Sequence, residues 1–245
     1  MKIAIQISGQ PRFTGDFYYF LKNLKGYDQA DWFCYMTNHN TNVDSFKLPS
    51  EQWKTFDLNW AINKLQKQLP PNNVIRSFEI SDCEKVSLPC TPPECPTTLY
   101  KMWYNIYKSN QLRIAYEQCN NITYDMIIRV RPDIGLETEL NLNLYKDIDL
   151  TYIIIFPQNQ WAGHLGGVTP SPQACDQFAI GNSESMAVYS DLIHHLENYP
   201  YTKDKHVWHN EANLAHHLIL NNITTIPGDF IVSLRKYPVN NNNWA

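Results

Sequence analysis

Arg129, Arg131 and Asp133 follow one another at intervals of two along the run Tyr124-Asp-Met-Ile-Ile-Arg-Val-Arg-Pro-Asp133. In an extended chain that spacing puts them on one face with Ile127, while Met126, Ile128 and Val130 point the other way into packing. A carboxylate at a strand end can bind Mg²⁺ or Mn²⁺, which prefer oxygen ligands and often bridge to substrate phosphates. Guanidinium forks suit phosphate oxygens through paired hydrogen bonds. Together they describe a site for a diphosphate-bearing substrate, with Asp133 as the candidate metal ligand and Arg129 and Arg131 as candidate phosphate partners. The plainer alternative is a solvated edge strand with a surface ion pair, and the apolar density around the run speaks against an edge. Pro132 favours an extended Arg131 and continues a central strand poorly, so the strand should stop there. Its charges then stand at the carboxyl end, where open α/β sheets bind ligands.

Other residues of chemical interest are more isolated. Ser8-Gly9-Gln10-Pro11-Arg12 is neither a dinucleotide-binding glycine fingerprint nor a P-loop. Gly9 still allows a ligand close to the backbone, and Arg12 can add charge for a phosphate, although a plain strand-to-helix turn reads equally well. Asp176 and Glu211 are single carboxylates, either of which can act as a base or orient a hydroxyl. His206 and His209 share a helical spacing without the H-E-x-x-H pattern, so polar residues at a helix end are the default over a metal site. His164 lies in a glycine-rich stretch and reads as a surface histidine or a phosphate contact. There is no G-x-S-x-G elbow.

The elements that must hold these residues alternate. Residues 2–8 read as a strand, followed by a helical segment to about Leu24. Strands follow at 31–36, 74–80, 126–130, 151–156, 176–181 and 230–234, with helices over 50–69, from Thr97 or Thr98 to about Cys119, around 186–196 and over 208–220. This pattern predicts an α/β protein with a mostly parallel central sheet and helices on both faces. No repeat or linker divides the 245 residues, which read as one domain with a frayed tail over 240–245.

Composition narrows the function. A hydrophobic share of 43%, a net charge of −4 and a pI near 6.0 give a globular chain without the basic footprint of a nucleic-acid binder. No apolar run reaches the roughly 18 residues of a membrane span, and the start does not resemble a signal peptide. The chain therefore reads as cytoplasmic. Cys83, Cys90 and Cys95 form a Pro-rich cluster that lacks a C-x-x-C pair; reduced thiols are the default over a disulfide or zinc. The two Asn-Ile-Thr sequons, at Asn121 and Asn222, read as chance matches.

Four segments occur in a telling order: Ile7-Ser-Gly-Gln-Pro-Arg12, Tyr124 to Asp133, Asp176-Gln-Phe-Ala-Ile-Gly-Asn-Ser183 and Asn210-Glu-Ala-Asn-Leu214. The series resembles a group of GT-A-type glycosyltransferase-like proteins found in bacterial polysaccharide clusters and in large viruses and phages. The resemblance implies a Rossmann-like nucleotide-sugar domain, with residues 1–130 as the nucleotide half and 131–239 as the acceptor half. It places Ser8, Gly9, Gln10 and Arg12 against the nucleotide and the Arg131-Pro-Asp133 segment where a D-x-D metal motif would stand. It puts Asp176 on the acceptor side and Glu211 near the reaction centre. The implied reaction moves a sugar from a nucleoside-diphosphate sugar to the hydroxyl of a glycan or other acceptor, with Mn²⁺ or Mg²⁺ on Asp133. Arg131 departs from D-x-D, because it occupies the place of the first aspartate. Two rivals share the same site: a nucleotide-dependent phosphotransferase or hydrolase, and a non-catalytic carbohydrate-binding protein on a degenerate transferase fold. Trp103, Trp161 and Trp208 are candidate sugar-stacking surfaces or core residues.

Overall fold

Alternating isoleucines at 3, 5 and 7 make Ile3–Gly9 a strand, β1, and the structure buries it on both faces. The computed structural model describes residues 1–9, 20–38, 58–82, 97–158, 174–199 and 210–234. Gln10, Arg12, the Cys83/Cys90/Cys95 cluster, Trp161, His164, His206, Trp208, His209 and the tail lie outside them. After β1 come β2 (Leu24–Lys25), β3 (Ala30–Asn38), α1 (Leu58–Gln68), β4 (Val74–Asp82) and α2 (Thr97–Asn120). The chain continues through β5 (Met126–Val130), β6 (Ile134–Leu136), β7 (Leu140–Asn141), β8 (Ile153–Phe156) and β9 (Phe178–Gly181). It then runs through α3 (Ser183–Ser190), α4 (Asn210–Leu220), β10 (Thr224–Pro227) and β11 (Val232–Leu234).

Seven of these strands form one sheet in the order β10-β8-β9-β5-β1-β3-β4. All neighbours are parallel except where β9 runs antiparallel between β5 and β8. The result is the mostly parallel α/β sheet expected, Rossmann-like in its layout, with β5 and β1 at its centre. Because β9 runs backwards, its amino end lies beside the carboxyl end of β5, Phe178 opposite Val130.

Gln6 pairs in register with Phe33 and Arg129, so these three side chains share a face. That face takes α2: Gln6 donates to Asn110 Oδ1 at 3.0 Å, and Phe33 meets Tyr116 edge-on. The opposite face carries Trp32 and Phe178, which pack against Tyr27, Phe20 and Phe230. Ile127 and Arg129 are therefore as buried as Met126, Ile128 and Val130. The sequence pattern assigned only the second set to packing. Cover on both faces, by α2 on one and by Phe20, Tyr27 and Phe230 on the other, is the reason both sets are enclosed.

Several boundaries differ from the sequence reading, each for a local reason. The fifth strand starts at Ile153 rather than Thr151, because Tyr152 turns at φ 59°. The helix expected over 186–196 ends at Ser190, whose hydroxyl donates back to Met186 O at 2.8 Å; two 3₁₀ turns, 191–194 and 196–198, take over. β11 joins β6 in a separate two-stranded ribbon, and β10 escaped notice because its Thr-Thr-Ile-Pro run is largely polar and partly exposed and so lacks an apolar pattern. The two Asn-Ile-Thr sequons share a structural role. Asn121 and Asn222 take φ of 49° and 58° just past α2 and α4, and the next amides, of Ile122 and Ile223, donate to Glu117 O and Leu218 O. Both are helix C-terminal caps of the Schellman type, in which asparagine tolerates the left-handed conformation. No helix among the described residues is long and apolar enough to cross a membrane.

A buried polar network fixes α2 across the sheet. Arg113 donates to Asn110 Oδ1 at 2.7 and 3.1 Å and pairs with Glu117, whose carboxylate also accepts from Ser183 Oγ and from the Tyr124 amide at 2.9 Å. Burial lowers the Arg113 pKa to about 10 against the opposing pull of Glu117. Arg113→Met should leave Glu117 enclosed without a counter-charge and cost about 3–5 kcal/mol in urea unfolding, whereas adding Glu117→Leu should restore most of it. An unchanged midpoint in the single variant would contradict this role.

Candidate functional site

The carboxyl ends of β1 and β5 meet at Gly9 and Pro132. Gly9 takes φ +139°, a conformation that side chains rarely adopt, while a Cβ there would stand 3.5 Å from Pro132 Cδ. The glycine is thus demanded by the backbone path rather than by lack of space. Beyond β5 the chain turns through Pro132, with the Ile134 amide 3.4 Å from Arg131 O, while the Arg131 amide donates to Gln177 O at 3.1 Å. This second bond ties the tip of β5 to the segment leading into β9. Asp176, immediately before that segment, is thereby brought to the arginines.

Arg131 and Asp133 form a bidentate pair, Nε to Oδ1 at 2.9 Å and Nη2 to Oδ2 at 2.7 Å. Their side chains keep 24% and 14% exposure. Burial alone would lower the Arg131 pKa, but Asp133 more than compensates and raises it. Arg129 lies deeper and is fully enclosed; burial lowers its pKa, while the charge of Asp176 works against that shift. None of its three guanidinium nitrogens has a hydrogen-bond partner among the described residues. The same holds for Ser8 Oγ, Asp176 Oδ1, Gln6 Oε1 and Trp103 Nε1. Polar atoms enclosed without partners cost on the order of 1–3 kcal/mol each, more when charged.

α3 and α4 close the other side. Tyr189 donates to Cys175 O at 2.9 Å and packs against Trp103 with ring centres 5.6 Å apart. Burial pushes its phenol well above the ordinary value, with Arg129 pulling the other way. Glu211, in the first turn of α4, has its pKa raised by burial and then by the charge of Asp176. Burial likewise pushes the Cys175 thiol up to about 12, so it is a packed thiol rather than a nucleophile.

Ser8, Gly9, Arg129, Arg131, Asp133, Asp176 and Glu211 thus belong to one region, drawn from β1, β5, the lead into β9 and α4. Tyr189 was visible in the sequence only as part of a helical stripe; nothing in its spacing signals that it faces an arginine. Trp103 is fully buried and belongs to the core.

The expected Mg²⁺ or Mn²⁺ does not fit this donor set. Both Asp133 oxygens are already engaged by Arg131. Among the described residues no three His, Cys, Asp or Glu side chains gather so as to hold a metal ion. A dication about 4 Å from a guanidinium would meet roughly 8 kcal/mol of repulsion at an effective dielectric constant of about 20.

No protein-family model matches the chain, and no curated protein does.

Glu211 yields a pH prediction. With its folded pKa above the ordinary 4.5, the folded chain holds the proton more tightly, so stability should fall as pH rises from about 4.5 through the folded value. Glu211→Gln should flatten that decline in unfolding measured across pH. An identical slope in both proteins would contradict the assignment.

Proposed function

We propose that the protein is a glycosyltransferase that moves a sugar from a nucleoside-diphosphate sugar to an acceptor hydroxyl in glycan or polysaccharide synthesis. The observation that carries this reading is the gathering of two arginines and three carboxyl groups at the carboxyl edge of a mostly parallel sheet, where such sheets bind nucleotides. The ordered segments that resemble GT-A-type proteins support it, and they supply all five of those residues and Gly9.

In the reaction the acceptor oxygen forms a bond to the anomeric carbon as the bond from that carbon to the diphosphate oxygen breaks. The nucleoside diphosphate leaves with the electron pair. Arg129 and Arg131 are placed to stabilise the charge that develops on it, which is where such fixed cations act most strongly. The acceptor proton passes to a carboxylate, Asp176 or Glu211. Burial and then the charge of Asp176 raise the pKa of Glu211, which makes its carboxylate a stronger base for the acceptor proton. Gly9, partly accessible at the end of β1 and without a side chain, supplies backbone against which the nucleotide can lie.

A panel of UDP-, GDP-, CMP- and dTDP-sugars with hydroxyl acceptors tests this. One donor should release its nucleotide, and Asp176→Asn or Glu211→Gln should lower kcat by about 100-fold or more with a smaller change in KM for the donor. Hydrolysis of sugar-free nucleotide would favour a phosphotransferase or hydrolase. Binding of sugar without turnover would favour a carbohydrate-binding protein, and binding of no donor would sink the proposal.

A further inference from the structure

We propose that Arg131 takes the place of a divalent cation, so that this site accepts a nucleoside diphosphate without metal, and that Asp133 is a positioning residue for Arg131 rather than a metal ligand. The inference rests on the diphosphate reading above.

The geometry is built locally. Pro132 separates the two residues, and the turn it makes brings Asp133 back onto the Nε/Nη2 edge of Arg131. That is the edge through which a guanidinium grips a carboxylate most rigidly. Asp133 does not touch the remaining nitrogen, Nη1, whose donors can address a ligand while the pair stays intact. A guanidinium held in this way is a fixed positive charge at the mouth of the site, the electrostatic service that a metal ion gives a diphosphate.

The charge balance agrees. Arg129 and Arg131 already set two positive groups among the carboxylates of Asp133 and Asp176. A dication would have to displace the Arg131 fork from Asp133 and then lie beside it. Arg129, fully enclosed and without a hydrogen-bond partner among the described residues, supplies a second cation behind the first.

Two measurements on the full chain test this. In the first, binding of UDP, GDP, CDP and dTDP is followed by calorimetry in EDTA and in Mn²⁺. The wild-type Kd for the preferred nucleotide should agree within about twofold between the two conditions. Arg131→Ala should weaken binding in EDTA by about tenfold or more, the usual worth of a charge-assisted bond, and Mn²⁺ should recover part of it by reaching the freed Asp133. Asp133→Asn should weaken binding by the same factor in both conditions, since it acts through Arg131. Wild-type binding that needs Mn²⁺, or an Asp133→Asn loss confined to Mn²⁺, would overturn the proposal.

In the second, Mn²⁺ alone is titrated and the free-ion EPR signal recorded. The wild type should leave the signal unchanged, as should Asp133→Asn. Depletion by the wild type that Asp133→Asn abolishes would overturn the proposal. This arm needs no nucleotide, so it still decides the role of Arg131 if no nucleotide binds and the transferase reading falls. Melting by circular dichroism checks each variant, and Arg131→Lys, which keeps the charge without the fork, replaces Arg131→Ala if that variant does not fold.

Discussion

A guanidinium inside a protein must be matched by negative charge or hydrogen-bond acceptors, and this chain places one within β5, in the middle of a packed sheet, and a second just past its end. That constraint organises this molecule. Arg131 is matched by Asp133 at 2.7 and 2.9 Å, through a turn that the chain supplies two residues later. Arg129 has no hydrogen-bond partner among the described residues and meets Tyr189 and the charge of Asp176 instead, because the antiparallel β9 delivers that carboxylate to the same end of the sheet. Had β9 run parallel, Asp176 would stand at the opposite edge. The reversal of one strand therefore fixes which residues can form a site.

Opposite requirements hold at the two ends of the sheet. Towards the amino ends, the Asn110–Arg113–Glu117–Ser183 network spends its donors and acceptors on one another and joins α2, α3 and the start of β5. Towards the carboxyl ends, Arg129, Ser8 and Asp176 keep polar atoms without hydrogen-bond partners among the described residues. A satisfied network gives rigidity, and an unsatisfied one draws in other polar groups. Two equally buried arginines thus serve different purposes, which their partners reveal and their burial does not.

Much of this was legible in the sequence. Alternation in β1, the apolar run of β5 and the long stripe of α2 specified the α/β class, and Pro132 marked the strand end correctly. Residues 129, 131 and 133 were recognisable because charge is conspicuous in an apolar run. The enclosure of Arg129 was not legible, since period-two alternation reports which residues share a face and says nothing of what covers that face. The direction of β9 was hidden for a similar reason: an apolar tetrapeptide reads the same whether it runs parallel or antiparallel. An ion pair at this strand end was one of the alternatives the sequence left open, and the i, i+2 spacing of Arg131 and Asp133 around a proline is what closes it as a fork.

The most direct test of the account is a crystal structure of the full chain grown with a nucleoside diphosphate in the presence of EDTA. The account predicts phosphate oxygens at about 3 Å from Arg131 Nη1, ordinary hydrogen-bond distance, with Asp133 still on the opposite edge of the guanidinium. A nucleotide bound away from the carboxyl ends of β1 and β5, or one seen there only when a divalent ion bridges Asp133 and the phosphates, would contradict it.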